Sequence, residues 1–381
     1  MYRFHLPVLL PVAVAAAALG ACDKTASPPA EGNAATVKIG AALSLTGPAA
    51  SYGAQQKAGL TAAVAEVNAS GALPVKLELI IDDDASTKEQ GIAVFQKLIN
   101  RDKVAVIIGP TLSNTASAAD PLAQQAGVPV LAVSNTAAKG ITDIGDHIWR
   151  DSLTEAQVIP GAFAKAQQKL GFKSAGVLYG NDDVFTKAGY DVMQKVLADL
   201  GVKLVGTQTF AKADRDYHAQ LTALIDAKPD ALVVSALADN AAAIVSQARQ
   251  HGWTGPILGG NGFNSPAFIK NAGPAAEGIL VGTSWDSTSQ SPANQKFLAA
   301  LAKQSVNPDQ FSAQAYTAIY ILAEAIKQSG GKAGRDDINA GFAKVKDLDT
   351  PLGKFSFTPA RDASHQPSVQ IIKDGKFQIV Q

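Results

Sequence analysis

The sequence predicts an α/β protein with parallel, doubly wound sheets, set out as two successive blocks at residues 36–150 and 155–282. Three observations carry this. Short β-branched runs alternate with amphipathic stretches of helical period. Several of the runs are apolar throughout, as strands covered on both faces are. The loops after them are rich in Ser, Thr, Asn and Gly, and open α/β sheets bind ligands at that end of the strands.

In the first block, strands are expected at Val37–Leu43, Val75–Ile81, Val104–Ile108 and Val128–Val133. Helical patterns lie between them at Gln55–Asn68, Lys88–Asn100 and Ala116–Gln125. In the second block, strands at Ser174–Leu178, Lys203–Thr207, Ala231–Ser235 and Ile279–Val281 alternate with helices at Gln157–Leu170, Lys187–Leu200, Tyr217–Asp226 and Ala241–Gln250. Two further helices follow, at Ala293–Gln304 and Ala313–Gln328. The alternation breaks near 149–155 ("WRDSLTE"), 282–288 ("GTSWDST") and 350–355 ("TPLGKF"). The tail "FSFTPARDASHQPSVQIIKDGKFQIV" has the pattern of strands, with Asp374-Gly375 as a tight hairpin turn.

The amino terminus reads differently. Residues 1–21, with Arg3 before the apolar run Leu6–Leu19 and a small-residue exit, form a secretory signal. The run contains Pro7 and Pro11 and is shorter than the roughly 20 apolar residues of a spanning helix. "LGAC" resembles the bacterial lipoprotein box, which implies lipid on Cys22. Cys22 is the only cysteine, so it has no disulfide partner, and a terminal position does not suit a catalytic thiol. Residues 22–35 are small, polar and Pro-containing, the composition of a flexible tether. Lys+Arg and Asp+Glu both number 33, and the absence of a basic patch argues against nucleic acid as a partner.

Polar loops follow the strands at 44–53 ("SLTGPAASYG"), 82–87 ("DDDAST"), 109–116 ("GPTLSNTA"), 134–137 ("SNTA"), 179–185 ("YGNDDVF") and 259–263 ("GGNGF"). One such loop would be a helix cap; several at equivalent ends imply a polar cleft between two lobes. Catalytic motifs are missing. Gly259, Gly260 and Gly262 do not make G-x-G-x-x-G, and neither a phosphate-binding loop nor a nucleophile elbow occurs. His147, His218, His251 and His365 lack metal-ligand spacing. Asp82–Asp84 lack the glycine and distal Glu of a calcium loop, and acids before a helix suit its dipole. No metal, cofactor or catalytic residue is expected.

The ordered set "KIGAALSLTGPAASYGAQQKAGLTAAVAEVNASG", "IIDDDAST", "VAVIIGPTLSNTASAADPLAQQAGVPVLAVS" and "AEGILVGTSW" resembles periplasmic type I solute-binding proteins of the branched-chain amino acid class. The resemblance covers nearly all of residues 36–381. It implies two Rossmann-like lobes with parallel sheets, joined by a three-strand hinge that closes on ligand. Lobe 1 would comprise 36–151 and 285–351, and lobe 2 would comprise 152–284 and 352–381. It also implies a monomeric extracytoplasmic receptor that delivers solute to an ABC transporter permease. Lipid on Cys22 would be the only membrane contact. Asp23 implies retention at the inner membrane in enteric bacteria.

The same resemblance assigns the site. Ser113 matches the residue that holds a ligand carboxylate. A helix start suits that role, and the N–H groups of Asn114 and Thr115 are expected to be free there; Ser113 acting as a plain N-cap is the simpler alternative. Asn135 and Thr136 match a loop that meets an α-amino group through a backbone carbonyl and a hydroxyl. Tyr52 matches a cleft-lining aromatic. Phe185 and Leu237 stand where aromatics are common, and Asn261 stands where amino-acid binders usually carry a carboxylate. Since Asn261 cannot pair a buried ammonium, either the ligand lacks one or Glu155 or Asp239 supplies the charge. The ligand is thus a small carboxylate-bearing molecule: an amino acid, or an aromatic or aliphatic acid without an amino group. A ligand-sensing lobe for a signalling partner is the other-class alternative.

Overall fold

The computed structural model describes residues 35–380. The signal segment, Cys22 and the tether up to residue 34 lie outside the described residues.

The first half alternates β1 (Ala35–Leu43), α1 (Ala50–Ser70), β2 (Val75–Asp83), α2 (Lys88–Gln96), β3 (Val106–Ile108), α3 (Ser113–Gln125), β4 (Val130–Ala132) and β5 (Ile148–Arg150). Its strands form a parallel sheet in the order β2-β1-β3-β4-β5. β1 lies inside the sheet, and its last five residues are all buried. β2 is an edge strand, and its alternating "VKLEL" leaves Lys76 and Glu78 to solvent. Only three residues of β3, of β4 and of β5 pair, and all are buried.

The second half continues with α4 (Glu155–Leu170), β6 (Ser174–Gly180), α5 (Val184–Asp199), β7 (Lys203–Phe210), α6 (His218–Asp226), β8 (Ala231–Ser235), α7 (Ala238–Gln250), β9 (Ile257–Gly259), α8 (Pro266–Ala272) and β10 (Leu280–Thr283). The chain then returns through α9 (Pro292–Ala302), α10 (Gln310–Gln328) and α11 (Arg335–Phe342). Phe297, Ile319 and Ile338 from these helices share one buried core with Val37 and Ile39 of the first sheet and Leu60 of α1.

A small antiparallel sheet joins β11 (Leu348–Thr350), β12 (Gly353–Phe357) and β13 (Ala363–Ser364). Its Phe355 and Ala363 are buried in the core of the first sheet, whereas the boundary read from the sequence hands the chain to the second lobe at 352. The chain joins the second sheet with β14 (Ser368–Lys373) and β15 (Lys376–Ile379), which extend it antiparallel in the order β15-β14-β10-β9-β8-β6-β7. Asp374 and Gly375 both have positive φ, 52° and 68°, the backbone a two-residue type I′ hairpin needs.

The strands β5 and β9 and the helices α8 and α11 have no counterpart in the sequence reading. Three-residue strands and helices of seven or eight residues are too short for periodicity to register. Among the described residues, no helix is long and apolar enough to cross a membrane, and no group of three or more His, Cys, Asp or Glu is placed to hold a metal ion.

Candidate ligand-binding site

The loops at the carboxyl ends of both sheets meet around a small cavity of about 20 Å³, room for about one water molecule. Of the expected residues, Tyr52, Ser113, Thr136, Phe185, Leu237 and Asn261 line it. Asn114 and Asn135 do not. Thr111, Leu112, Ser134, Gly262 and Phe311 also line it without having been singled out. Thr111 and Leu112 lie inside the quoted "GPTLSNTA"; Phe311 comes from α10, which carries no local signal of a site.

The first wall is the start of α3, three residues earlier than expected. The backbone reaches it through Gly109, whose φ is 111°, and a Cβ there would fall 2.2 Å from the Ala42 carbonyl oxygen, so only glycine fits. Leu112 is the N-cap, in extended conformation and without a side-chain cap. Ser113 is therefore not the cap but the first helical residue, and its hydroxyl accepts from the Ala137 N–H at 3.4 Å. The Thr115 N–H is not free, because it bonds to the Leu112 carbonyl at 3.1 Å. The donors left without a protein acceptor are the N–H groups of Ser113 and Asn114. An uncapped helix start with free N–H groups and a partial positive charge suits an anion.

A ring of short hydrogen bonds holds this wall. Thr111 Oγ1 accepts from the Ser44 N–H (2.9 Å) and donates to Gln56 Oε1 (2.6 Å). Gln56 Nε2 donates to Ser134 Oγ (2.7 Å), and Ser134 Oγ donates to the Thr111 carbonyl (2.6 Å). The acids of "DDDAST" belong to the same support: Asp83 accepts from the Leu45 and Ala85 N–H groups, and Asp84 from the Ser44 hydroxyl. The cap of α2 is Thr87, not an acid.

Asn135 is scaffolding. Its Nδ2 donates to the Pro110 carbonyl (3.0 Å), and its own carbonyl accepts from Arg150 Nη1 (3.0 Å) and Ser152 Oγ (3.1 Å). That carbonyl is thus taken by the protein, and Thr136 is the residue of this loop that faces the cavity. The loop is clamped by Arg150, whose side chain is 1% exposed. Its Nη1 also reaches the Ala137 carbonyl (2.5 Å), and its Nε and Nη2 bond Asp362 Oδ1 (2.9 and 2.5 Å).

Across the cavity, Leu237 caps α7, Phe185 sits in the first turn of α5 and Asn261 opens a single 3-10 turn after β9. Tyr52, from α1, stacks on Phe311 with ring centroids 4.3 Å apart. Its hydroxyl crosses the cleft: it donates to the Gly262 carbonyl (2.7 Å) and accepts from the Ala238 N–H (2.6 Å). Burial pushes its ionisation far above the ordinary tyrosine range, so the hydroxyl keeps its proton.

The polarity of Asn261 is set by its neighbours. The Ser284 N–H donates to Gln310 Oε1 (2.7 Å), which turns Gln310 Nε2 onto Asn261 Oδ1 (2.8 Å). The Gly282 carbonyl accepts from Asn264 Nδ2 (2.7 Å), which also donates to Asn261 Oδ1 (2.8 Å). Backbone groups have no choice of role, so both amides are anchored and the Asn261 oxygen is used up. Asn261 offers the cavity N–H donors rather than the acceptor that a neutral stand-in for a carboxylate would be expected to give.

Of the two alternative acids, Asp239 is exposed and accepts from Asn271 (3.2 Å). Glu155 is fully buried, and its Oε1 accepts from the Thr136 hydroxyl at 2.9 Å, directly behind the cavity wall. Burial pushes its carboxyl up to about 7, against the pull of the Thr136 hydrogen bond and of the nearby Asn261 backbone N–H.

The family of periplasmic binding proteins matches residues 36–376. The Leu/Ile/Val-binding protein BraC3 of Rhizobium johnstonii is 26% identical over 87% of this chain and 90% of its own length. Among solved structures, the branched-chain amino acid transporter substrate binding protein LivJ from Streptococcus pneumoniae, in complex with isoleucine, superposes with a TM-score of 0.84. It is 28% identical, with 91% of this chain and 99% of that one covered. A solute binding protein of an ABC transporter from Rhodopseudomonas palustris, in complex with 3,4-dihydroxybenzoic acid, gives 0.80 at 27% identity, covering 90% and 95%. The chain therefore belongs to the periplasmic binding protein family, with the type I fold, as an extracytoplasmic solute-binding protein of ABC-transporter type and not an enzyme.

Proposed function

We propose that this protein captures a small amino acid, branched-chain or related, for an ABC importer. Two lobes built on the two sheets close on it, and a lipid on Cys22 tethers the receptor. The observation that carries the ligand class is the start of α3. A buried helix terminus with no side-chain cap and two free N–H groups opens into the cavity, and a carboxylate satisfies both its hydrogen bonds and its dipole. The walls made by Leu112, Phe185, Leu237 and the Tyr52–Phe311 stack suit an apolar side chain.

The test is calorimetric titration of wild type and Ser113→Ala with the standard amino acids. Ser113 does not cap α3, and its one bond in the protein is the long one from the Ala137 N–H, so the alanine variant should lose no more than about 1 kcal/mol of stability. Loss of a hydroxyl donor to an anion should lower affinity roughly ten- to a hundredfold. Unchanged affinity would place the carboxylate elsewhere.

One observation favours a second reading. Asn261 presents donors where an ammonium would need an acceptor, which suits an acid lacking an amino group, such as the dihydroxybenzoic acid held by the Rhodopseudomonas palustris protein. Titration with benzoate and 4-hydroxybenzoate beside the amino acids separates the two.

A further inference from the structure

Building on the amino-acid reading, we infer that Glu155, acting through Thr136, supplies the negative charge that recognises the ligand ammonium. The geometry behind this is a buried acid with no cation. Glu155 is 0% exposed, and its Oε2 has no hydrogen-bond partner. The groups that act on it are neutral, the Thr136 hydroxyl and the Asn261 backbone, and Oε2 lies beside Gly260. Arg150, the buried cation of the adjoining segment, is committed to Asp362 and two carbonyls.

An acid at a helix start gains from the helix dipole, but an exposed acid gains this as well, without the cost of desolvation. Full burial with one oxygen unpartnered favours the neutral acid, and a cation brought against Thr136 would favour the ionised one. Thr136 shows where that charge would sit. Its single hydroxyl proton is given to Glu155, so toward the cavity it offers only lone pairs. Thr136 is thus an acceptor backed by a carboxylate, while Asn261 is a donor. A zwitterion laid from the α3 start to Thr136 meets matching charge at both ends.

Glu155 is a positioning residue, and its signature is a proton. An ammonium beside Thr136 stabilises ionised Glu155, so binding near pH 7 should release a fraction of a proton. An anion without an ammonium should instead cause uptake. The experiment is calorimetry at pH 7 in buffers of differing ionisation enthalpy, on wild type and Glu155→Gln. The probes are each of the twenty standard amino acids and the deaminated counterpart of the tightest binder, 4-methylpentanoate if that is leucine.

Expected is proton release by wild type, its loss in Glu155→Gln, and a drop of roughly ten- to a hundredfold for the amino acid but not for its deaminated counterpart. An amino acid that wild type binds with no proton release, or that Glu155→Gln binds equally well, overturns the inference while leaving the ligand class standing. Binding of 4-hydroxybenzoate or benzoate with proton uptake, and of no amino acid, overturns the ligand class and the inference together. The proton count on wild type needs no variant to fold.

Discussion

Replacing Tyr52 with phenylalanine should weaken ligand binding without removing a ligand contact. The Tyr52 hydroxyl joins α1, beside the first sheet, to two backbone groups of the second half, the Gly262 carbonyl at 2.7 Å and the Ala238 N–H at 2.6 Å. Both partners are unambiguous, so the hydroxyl donates once and accepts once. Phenylalanine keeps the stack on Phe311 but forfeits both bonds. When the cleft opens, water satisfies the carbonyl and the N–H, so the loss falls on the closed form alone.

Each bond contributes about 0.5–1.5 kcal/mol net, and the closed form should therefore lose about 1–3 kcal/mol. An open–closed equilibrium shifted by that amount raises the apparent Kd roughly 5- to 150-fold, because only the closed fraction holds ligand. Calorimetry measures the affinity, and solution scattering measures the radius of gyration with and without ligand. Stopped-flow dissociation should be faster, since the bonds break on opening. A Tyr52→Phe protein with wild-type affinity and wild-type dissociation rate would refute the latch and show that the hydroxyl serves only packing.

Three further outcomes follow from the same structure. Arg150→Ala should destabilise the protein by roughly 3–5 kcal/mol in urea titration, because it strips Asp362 of its partner and releases the Asn135 and Ala137 carbonyls. In the absence of ligand, stability should fall as pH rises from 4.5 to about 7. Across that window the unfolded chain has lost the Glu155 proton while the folded one retains it, a contribution of about 3 kcal/mol. Glu155→Gln should lose that share of the slope and keep the share of Asp309, which burial also raises to about 7, and stability differences between pH 5 and pH 8 that are identical for both proteins would contradict it. Cys22→Ala should shift the protein from salt-washed membranes to the soluble periplasmic fraction, and continued membrane retention would argue against the lipid.

Local patterns made most of the architecture readable. The period of the apolar residues separates strands from helices, and the apolar runs at 106–108 and 231–234 are buried throughout. Asp374-Gly375 announced its turn because few residues tolerate positive φ at two successive positions. The helix starts were placed three residues late at α3 and two late at α4, since Ser113 and Glu155 are polar and break the apolar period. Ser113 lines the cavity and Glu155 lies behind its wall.

By itself the sequence determined the alternating fold, the polar loops at one end of each sheet, and that Tyr52, Ser113, Thr136, Phe185, Leu237 and Asn261 belong near a common cleft. Only the tertiary structure decided what each of them offers. Asn261 is a donor because Gln310, 49 residues away, occupies its oxygen. Thr136 is an acceptor because Glu155 takes its proton. Ser113 is a helix residue and not a cap because Leu112 turns the backbone first. A side-chain amide or hydroxyl can give or take a hydrogen bond, and which it does is settled by the fixed donors and acceptors that folding brings to it from distant parts of the chain.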